Sequence, residues 1–246
     1  MIIDGLSGSD NTIKSFLMIG QSNMAGRGDF GEVEPIDNSD CFMLRMGRWQ
    51  KMSEPINPDR AIFNPQGHSG TNLCASFADR YAKYFGEKIG LIPCADGGTS
   101  ISQWQPGEIL FDHAVFMARL AMRTSKLGGI LFHQGENDCN EADIDLYKER
   151  AMHTINEIRR ELNAEELPFI IGELSEDLSP ERKCSEFSAK MNLIFKEMEK
   201  EIPNCRVVSS KGLPLKDDGL HFNSAALREF GNRYFEAYLD LVRTKG

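Results

Sequence analysis

No apolar run in this 246-residue chain approaches the ~18–20 residues that cross a bilayer as a helix, so no membrane partner is expected. The amino terminus, "MIIDGLSGSDNTIK", lacks a basic stretch and a long apolar stretch, so no export signal is read there. Cytoplasm is the expected compartment, unless a leader was removed before this chain was written. Dense Lys/Arg blocks are also missing, and the net charge is -9, which argues against nucleic acid as a partner. Cysteine is sparse: six residues, with no C-x-x-C pair, exclude a zinc ribbon, a thioredoxin motif and a disulfide scaffold. Reduced, buried thiols are expected instead. No G-x-S-x-G elbow, no P-loop lysine and no H-E-x-x-H occur, so three common catalytic frameworks are set aside.

What remains is an ordinary globular composition, 41% hydrophobic and 26% charged, long enough for one domain spanning 1–246. Five short runs are nearly continuous in apolar residues: "SFLMIG" (15–20), "KIGLIPC" (88–94), "GGILFHQ" (128–134), "PFIIGEL" (168–174) and "CRVVSS" (205–210). Continuity rather than alternation suits strands covered on both faces, as in a parallel sheet. Helical periodicity fills the intervals at 71–86, 112–127, 141–163, 181–201 and 224–243. Leu73, Phe77, Tyr81 and Tyr84 form one such face, and Val115 and Phe116 belong to another. Asn223 or Ser224 is placed to cap the last helix. Alternating strands and helices imply right-handed crossovers and a doubly wound α/β/α sandwich. The segment 27–70 reads as a long irregular loop that covers a site.

In such sheets chemistry gathers beyond the carboxyl ends of the strands. Four stretches fall there or before the last helix. The first strand breaks into Gln21, Ser22 and Asn23, and a serine in a strand-to-helix turn is a nucleophile if a base reaches it. Of five histidines, His113 and His153 lie in helical patterns, His68 in the irregular loop and His133 at the end of the third strand. Only His221 has a carboxylate at a useful offset, Asp218, three residues earlier. That spacing lets the carboxylate fix the ring tautomer and leave the other nitrogen to face Ser22. Gly97 and Gly98 permit a turn whose N–H groups point outward, as an oxyanion hole or a phosphate nest. Gln134, Glu136 and Asp138 add an amide and two carboxylates at the same edge. His133 and Glu136 lack metal-ligand spacing, so no metal is expected.

Together, "GQSNMAG", "GGTSISQW", "HQGEND" and "DGLH" resemble the SGNH hydrolases, most closely their carbohydrate acetylesterase branch of acetylxylan and sialate O-acetylesterases. The resemblance runs from about residue 15 to 240. It implies a flavodoxin-like three-layer fold with a five-stranded parallel sheet, and neither metal nor cofactor. Ser22 then matches the nucleophile, His221 the base and Asp218 its orienter. The N–H groups of Ser22 and Gly98 and the Gln134 amide match the oxyanion hole; Gln134 stands where the superfamily's name has asparagine. Glu136 is a second carboxylate considered for the triad in this branch; the spacing to His221 favours Asp218. Gln21, Asn23, Glu136 and Trp104 are expected to bind substrate or support the site, with Trp49 and His68 as further pocket candidates. The implied substrate is an acetylated carbohydrate. A sugar-binding protein without activity, a short-chain acyl hydrolase with a non-sugar substrate, and a phosphate-binding regulator stay open at this point. Oligomeric state is not legible.

Overall fold

The computed structural model describes residues 12–57 and 68–243. The first eleven residues, most of the stretch read above for an export signal, and residues 58–67 of the irregular loop lie outside the described residues.

The first apolar run forms β1 (Ile13–Gly20). Its side chains alternate between two cores. Leu17 and Ile19 enter one, Phe16 and Met18 the other, and all four are fully buried. A strand covered on both faces needs apolar residues at every position, which is why the run is continuous. The others follow as β4 (Ile89–Pro93), β5 (Ser125–His133), β6 (Phe169–Gly172) and β7 (Cys205–Val208). Adjacent members pair in parallel.

The sheet has seven strands rather than five. Segment 27–70, read as irregular, contains β2 (Cys41–Arg45) and β3 (Arg48–Lys51), joined by a turn at Met46 and Gly47. β2 runs parallel to β4, while β3 pairs antiparallel with β2 and forms the edge. The order is β3-β2-β4-β1-β5-β6-β7, so β1 lies at the centre. β3 is only four residues long and amphipathic, a pattern too short to show periodicity.

Helices cover both faces. α2 (Leu73–Phe85) and α6 (Ser224–Arg243) pack together on one side. There Phe16 meets Phe77, Tyr81 and Tyr238 edge-on, with ring centroids 4.9, 5.4 and 5.2 Å apart. Burying such a ring contributes roughly 1.5–3 kcal/mol. α3 (Ile109–Ala121), α4 (Ile144–Leu162) and α5 (Ser188–Glu201) cover the other face. α3 starts three residues and ends six residues earlier than its pattern suggested; Leu110, Phe111 and Ala114 extend the buried stripe of Val115, Ala118 and Ala121, and Phe116 is exposed. Tyr84 also turns outward, where Arg243 stacks on its ring. Asn223 caps α6 by accepting a hydrogen bond from the Ala226 N–H. All six cysteines are free and buried.

Candidate active site

β1 and β5 end side by side, and their paired ends, Gly20 and His133, fix where the site begins. A Cβ on Gly20 would sit 2.0 Å from the His133 carbonyl oxygen, so only glycine lets the two strands stay in register there. The chain then turns at once into a single helical turn, α1 (Ser22–Ala25), which presents Ser22 at the sheet edge.

Ser22 and His221 meet there: Oγ lies 2.9 Å from Nε2. Nδ1 lies 2.7 Å from Asp218 Oδ2. The other carboxylate oxygen, Oδ1, accepts the Leu220 and His221 N–H groups, each at 2.9 Å. Burial pushes the Asp218 carboxyl up, but these N–H bonds and the imidazole outweigh it and hold the group at about 2. An ionised carboxylate only accepts, so the His221 proton belongs on Nδ1. Nε2 is then left to accept the Ser22 hydroxyl proton. Arg182 steadies this loop from outside, donating from Nε and Nη2 to the Asp218 carbonyl at 3.0 and 2.7 Å.

A cleft of about 380 Å³ opens over the pair and is lined by Gln21, Arg27, Gly98 and Glu136 among others. The N–H groups of Ser22 and Gly98 have no hydrogen-bond partner among the described residues. Unpaired N–H groups facing a cleft are donors ready for an anionic oxygen. A larger cavity, about 550 Å³, lies between the 30–37 loop and Arg228, but none of the Ser22, His221 or Asp218 side chains lines it.

Comparison with known proteins fits this arrangement. The family model described as carbohydrate esterase, sialic acid-specific acetylesterase, matches residues 12–240. The chain belongs to this carbohydrate esterase family. A probable carbohydrate esterase of Arabidopsis thaliana is 30% identical over 244 residues, covering 91% of this chain and 89% of the relative. The X-ray structure of that plant protein matches with a TM-score of 0.81 at 27% identity, over 92% of this chain and 98% of the other. The crystal structure of NanS shares the fold, with a TM-score of 0.77 at 17% identity over 96% and 99% of the two chains. The resemblance read from four short motifs is therefore correct at the level of the family.

Within this esterase fold the expected supporting residues fall into different places. Asn23 is buried and bridges two segments: Nδ2 donates to Glu136 Oε1 at 2.7 Å, and Oδ1 accepts the Phe222 N–H at 3.2 Å. Glu136 is thus tied to Asn23, and no hydrogen bond joins it to His221. His133 is fully buried and edge-on to Phe222 and Phe230; burial lowers its pKa against the opposing pull of Glu136.

Four expected site residues need correction. Trp104 offers no sugar platform, because it is fully buried and its indole N–H donates to Thr99 Oγ1 at 3.1 Å. Its support is indirect, through Thr99. Trp49 is likewise buried and donates to Thr124, and His68 is exposed and away from the cleft lining. Gln134 is fully buried too, with its amide already engaged. Nε2 donates to Asp138 Oδ2 at 2.5 Å and the Thr99 carbonyl at 3.0 Å, while Oε1 accepts the Tyr147 hydroxyl at 2.8 Å. An amide with both hydrogens committed is a strut of the site, not an open donor.

Among the cleft residues that escaped the sequence reading are two cations, Arg27 and Arg182. Arg27 Nη2 stands 2.5 Å from where a Cβ on Gly97 would be, and Ser22 Cβ is 3.6 Å from the same point. Burial lowers the Arg27 pKa and Asp96 opposes this. The signal was present in "AGRGD", a cation five residues after Ser22, but no periodicity marks it.

Proposed function

We propose that the protein is a serine esterase that removes O-acetyl groups from a carbohydrate through an acetyl-enzyme. The observation that carries this is the 2.9 and 2.7 Å chain from Ser22 Oγ through His221 to Asp218, at a cleft with two unpaired N–H groups. Ser22 Oγ attacks the acetyl carbonyl carbon while its proton passes to His221 Nε2. The carbonyl oxygen becomes the oxyanion and rests on the N–H groups of Ser22 and Gly98. Collapse breaks the bond to the sugar oxygen, which leaves with the proton from His221. Water then repeats the sequence on the acetyl-enzyme, giving acetate and free serine. Asp218 stays ionised throughout and holds the ring by its Nδ1–H.

Within the carbohydrate class, Arg27 favours a sugar bearing a carboxylate, of the sialic acid type, over neutral acetylxylan. Its guanidinium sits beside Ser22, where it would meet an acidic group next to the acetyl ester. Hydrolysis of 4-nitrophenyl acetate by wild type and Ser22→Ala, with matched folding checks, tests the mechanism. Loss of activity in the variant alone supports it, and equal activity overturns it. Acetate release from O-acetylated sialic acid against acetylated xylo-oligosaccharides tests the substrate reading. A neutral preference would remove Arg27 from it.

A further inference from the structure

Because the Gln134 amide is spent on Asp138 and Thr99, the cleft lacks the side-chain donor that the motif resemblance implied. Gln21 stands one residue before the nucleophile, and its orientation can be deduced atom by atom. Asp138 anchors the network: its carboxylate accepts the Ile101 N–H at 3.0 and 3.1 Å, and it accepts from Gln134. That fixes Gln134 with its nitrogen toward Asp138 and its oxygen toward Tyr147. Gln21 Oε1 accepts the Asn137 backbone N–H at a long 3.4 Å, and Gln134 Nε2, its hydrogens turned to Asp138 and Thr99, stands 3.4 Å from the same oxygen. A backbone N–H only donates, so the atom of Gln21 that faces Asn137 is its oxygen. The Gln21 nitrogen is turned the other way.

Gln21 lines the same cleft as Ser22 and Gly98. Its Nε2 has no hydrogen-bond partner among the described residues, although the residue is 97% buried (3% exposed). The backbone is held equally firmly, since the Gln21 N–H donates to the His133 carbonyl at 2.9 Å and its own carbonyl accepts from Ala25. An unpaired amide nitrogen, preorganised by neighbours that cannot turn, is the kind of donor that stabilises developing charge.

We propose that the Gln21 side-chain amide is the third donor of the oxyanion hole, beside the N–H groups of Ser22 and Gly98. The proposal rests on the serine-esterase reading. The Asn137 N–H holds the Gln21 oxygen and so aims its nitrogen, while Gln134, fixed by Asp138 and Thr99, stands against that oxygen one step back.

The test compares Gln21→Ala and Gln21→Glu, with Ser22→Ala as control, on 4-nitrophenyl acetate at pH 8. Glutamate keeps an oxygen for Asn137 and Gln134 but replaces the donor with an anion. An oxyanion donor predicts a kcat loss of about 10²–10³ for Gln21→Ala with KM nearly unchanged. It predicts a larger loss for Gln21→Glu, with the wild-type melting temperature. A purely structural role predicts the reverse order, with glutamate rescuing what alanine loses. A fall in kcat of less than tenfold in Gln21→Ala, a rise in KM alone, or glutamate outperforming alanine overturns the assignment. If Ser22→Ala is inert while the Gln21 variants are active, only this assignment fails. If Ser22→Ala is itself active, the serine-esterase reading fails with it.

Discussion

Replacing Asp218 by asparagine isolates the orienting role with little change of shape. One side-chain oxygen still accepts the Leu220 and His221 N–H groups at 2.9 Å. An amide nitrogen takes the place of Oδ2 and faces Nδ1 at 2.7 Å. Two donors cannot share that contact, so the ring moves its proton to Nε2 and accepts through Nδ1. Nε2 then donates toward Ser22 and no longer takes its proton. To react, the ring must return to the other tautomer. It forfeits a charge-assisted bond of ~1.5–3 kcal/mol and faces an unsatisfied donor costing ~1–3 kcal/mol. The Asp218 side chain is 33% exposed, so water relieves part of this. A net ~2–4 kcal/mol remains, which lowers kcat by about 30- to 10³-fold. Steady-state hydrolysis of 4-nitrophenyl acetate gives kcat and KM, and thermal melts check the fold. KM and melting temperature stay near wild type, because both backbone contacts survive. Activity within threefold of wild type would refute the reasoning. If Glu136→Gln then lost 10² or more, the orienting carboxylate would be Glu136 despite its bond to Asn23.

Three further outcomes follow from the geometry. Trp104→Phe loses the bond to Thr99 and some volume, so it melts earlier by ~1–3 kcal/mol of stability, while KM for an acetylated sugar stays unchanged; a raised KM would return Trp104 to the binding surface. Gly231→Ala places a Cβ 1.9 Å from the Leu73 carbonyl oxygen where α6 crosses α2, costing ~1–3 kcal/mol, or roughly 2–12 °C in a thermal melt; an unchanged melt would mean the helices separate freely. Burial raises the Asp138 carboxyl to about 6, against the bonds from Gln134 and Ile101. The folded state therefore binds this proton more tightly than the unfolded chain. Stability on the order of 3 kcal/mol is present below about pH 4 and lost as pH rises through 6. Asp138→Asn removes that dependence, and a stability difference from wild type that stays flat between pH 4 and 7 would exclude it.

The sequence revealed the elements whose patterning is local. β1, β4, β5 and β6 announce themselves because burial on both faces forces apolar residues at successive positions. β3 did not, since a four-residue edge strand half in solvent leaves no such run; β2 carries one, residues 41–44, buried throughout, but it is short and sits inside the Gly-, Pro-, Asp- and Asn-rich segment read as irregular. Ser22, Asp218 and His221 were legible because each lies at a turn beside an element end, and D-x-x-H fixes its own local contact. The roles of Gln134 and Trp104 were not. Their types match their motif, but where each side chain points is decided by Tyr147, Asp138 and Thr99, reached only through the fold. Arg27 was missed for a related reason, as its place beside Ser22 depends on the Gly97 turn from another strand.

The hydrogen bond between Ser22 and His221 joins residues 199 positions apart. The nucleophile emerges early in synthesis, on the central strand, and its base arrives just ahead of the final helix. A nascent or truncated chain that stops before residue 218 carries the serine with nothing to draw off its proton. On the serine-esterase reading, turnover thus registers that synthesis has passed His221, and recovered activity after refolding reports that two segments far apart in the chain have found each other.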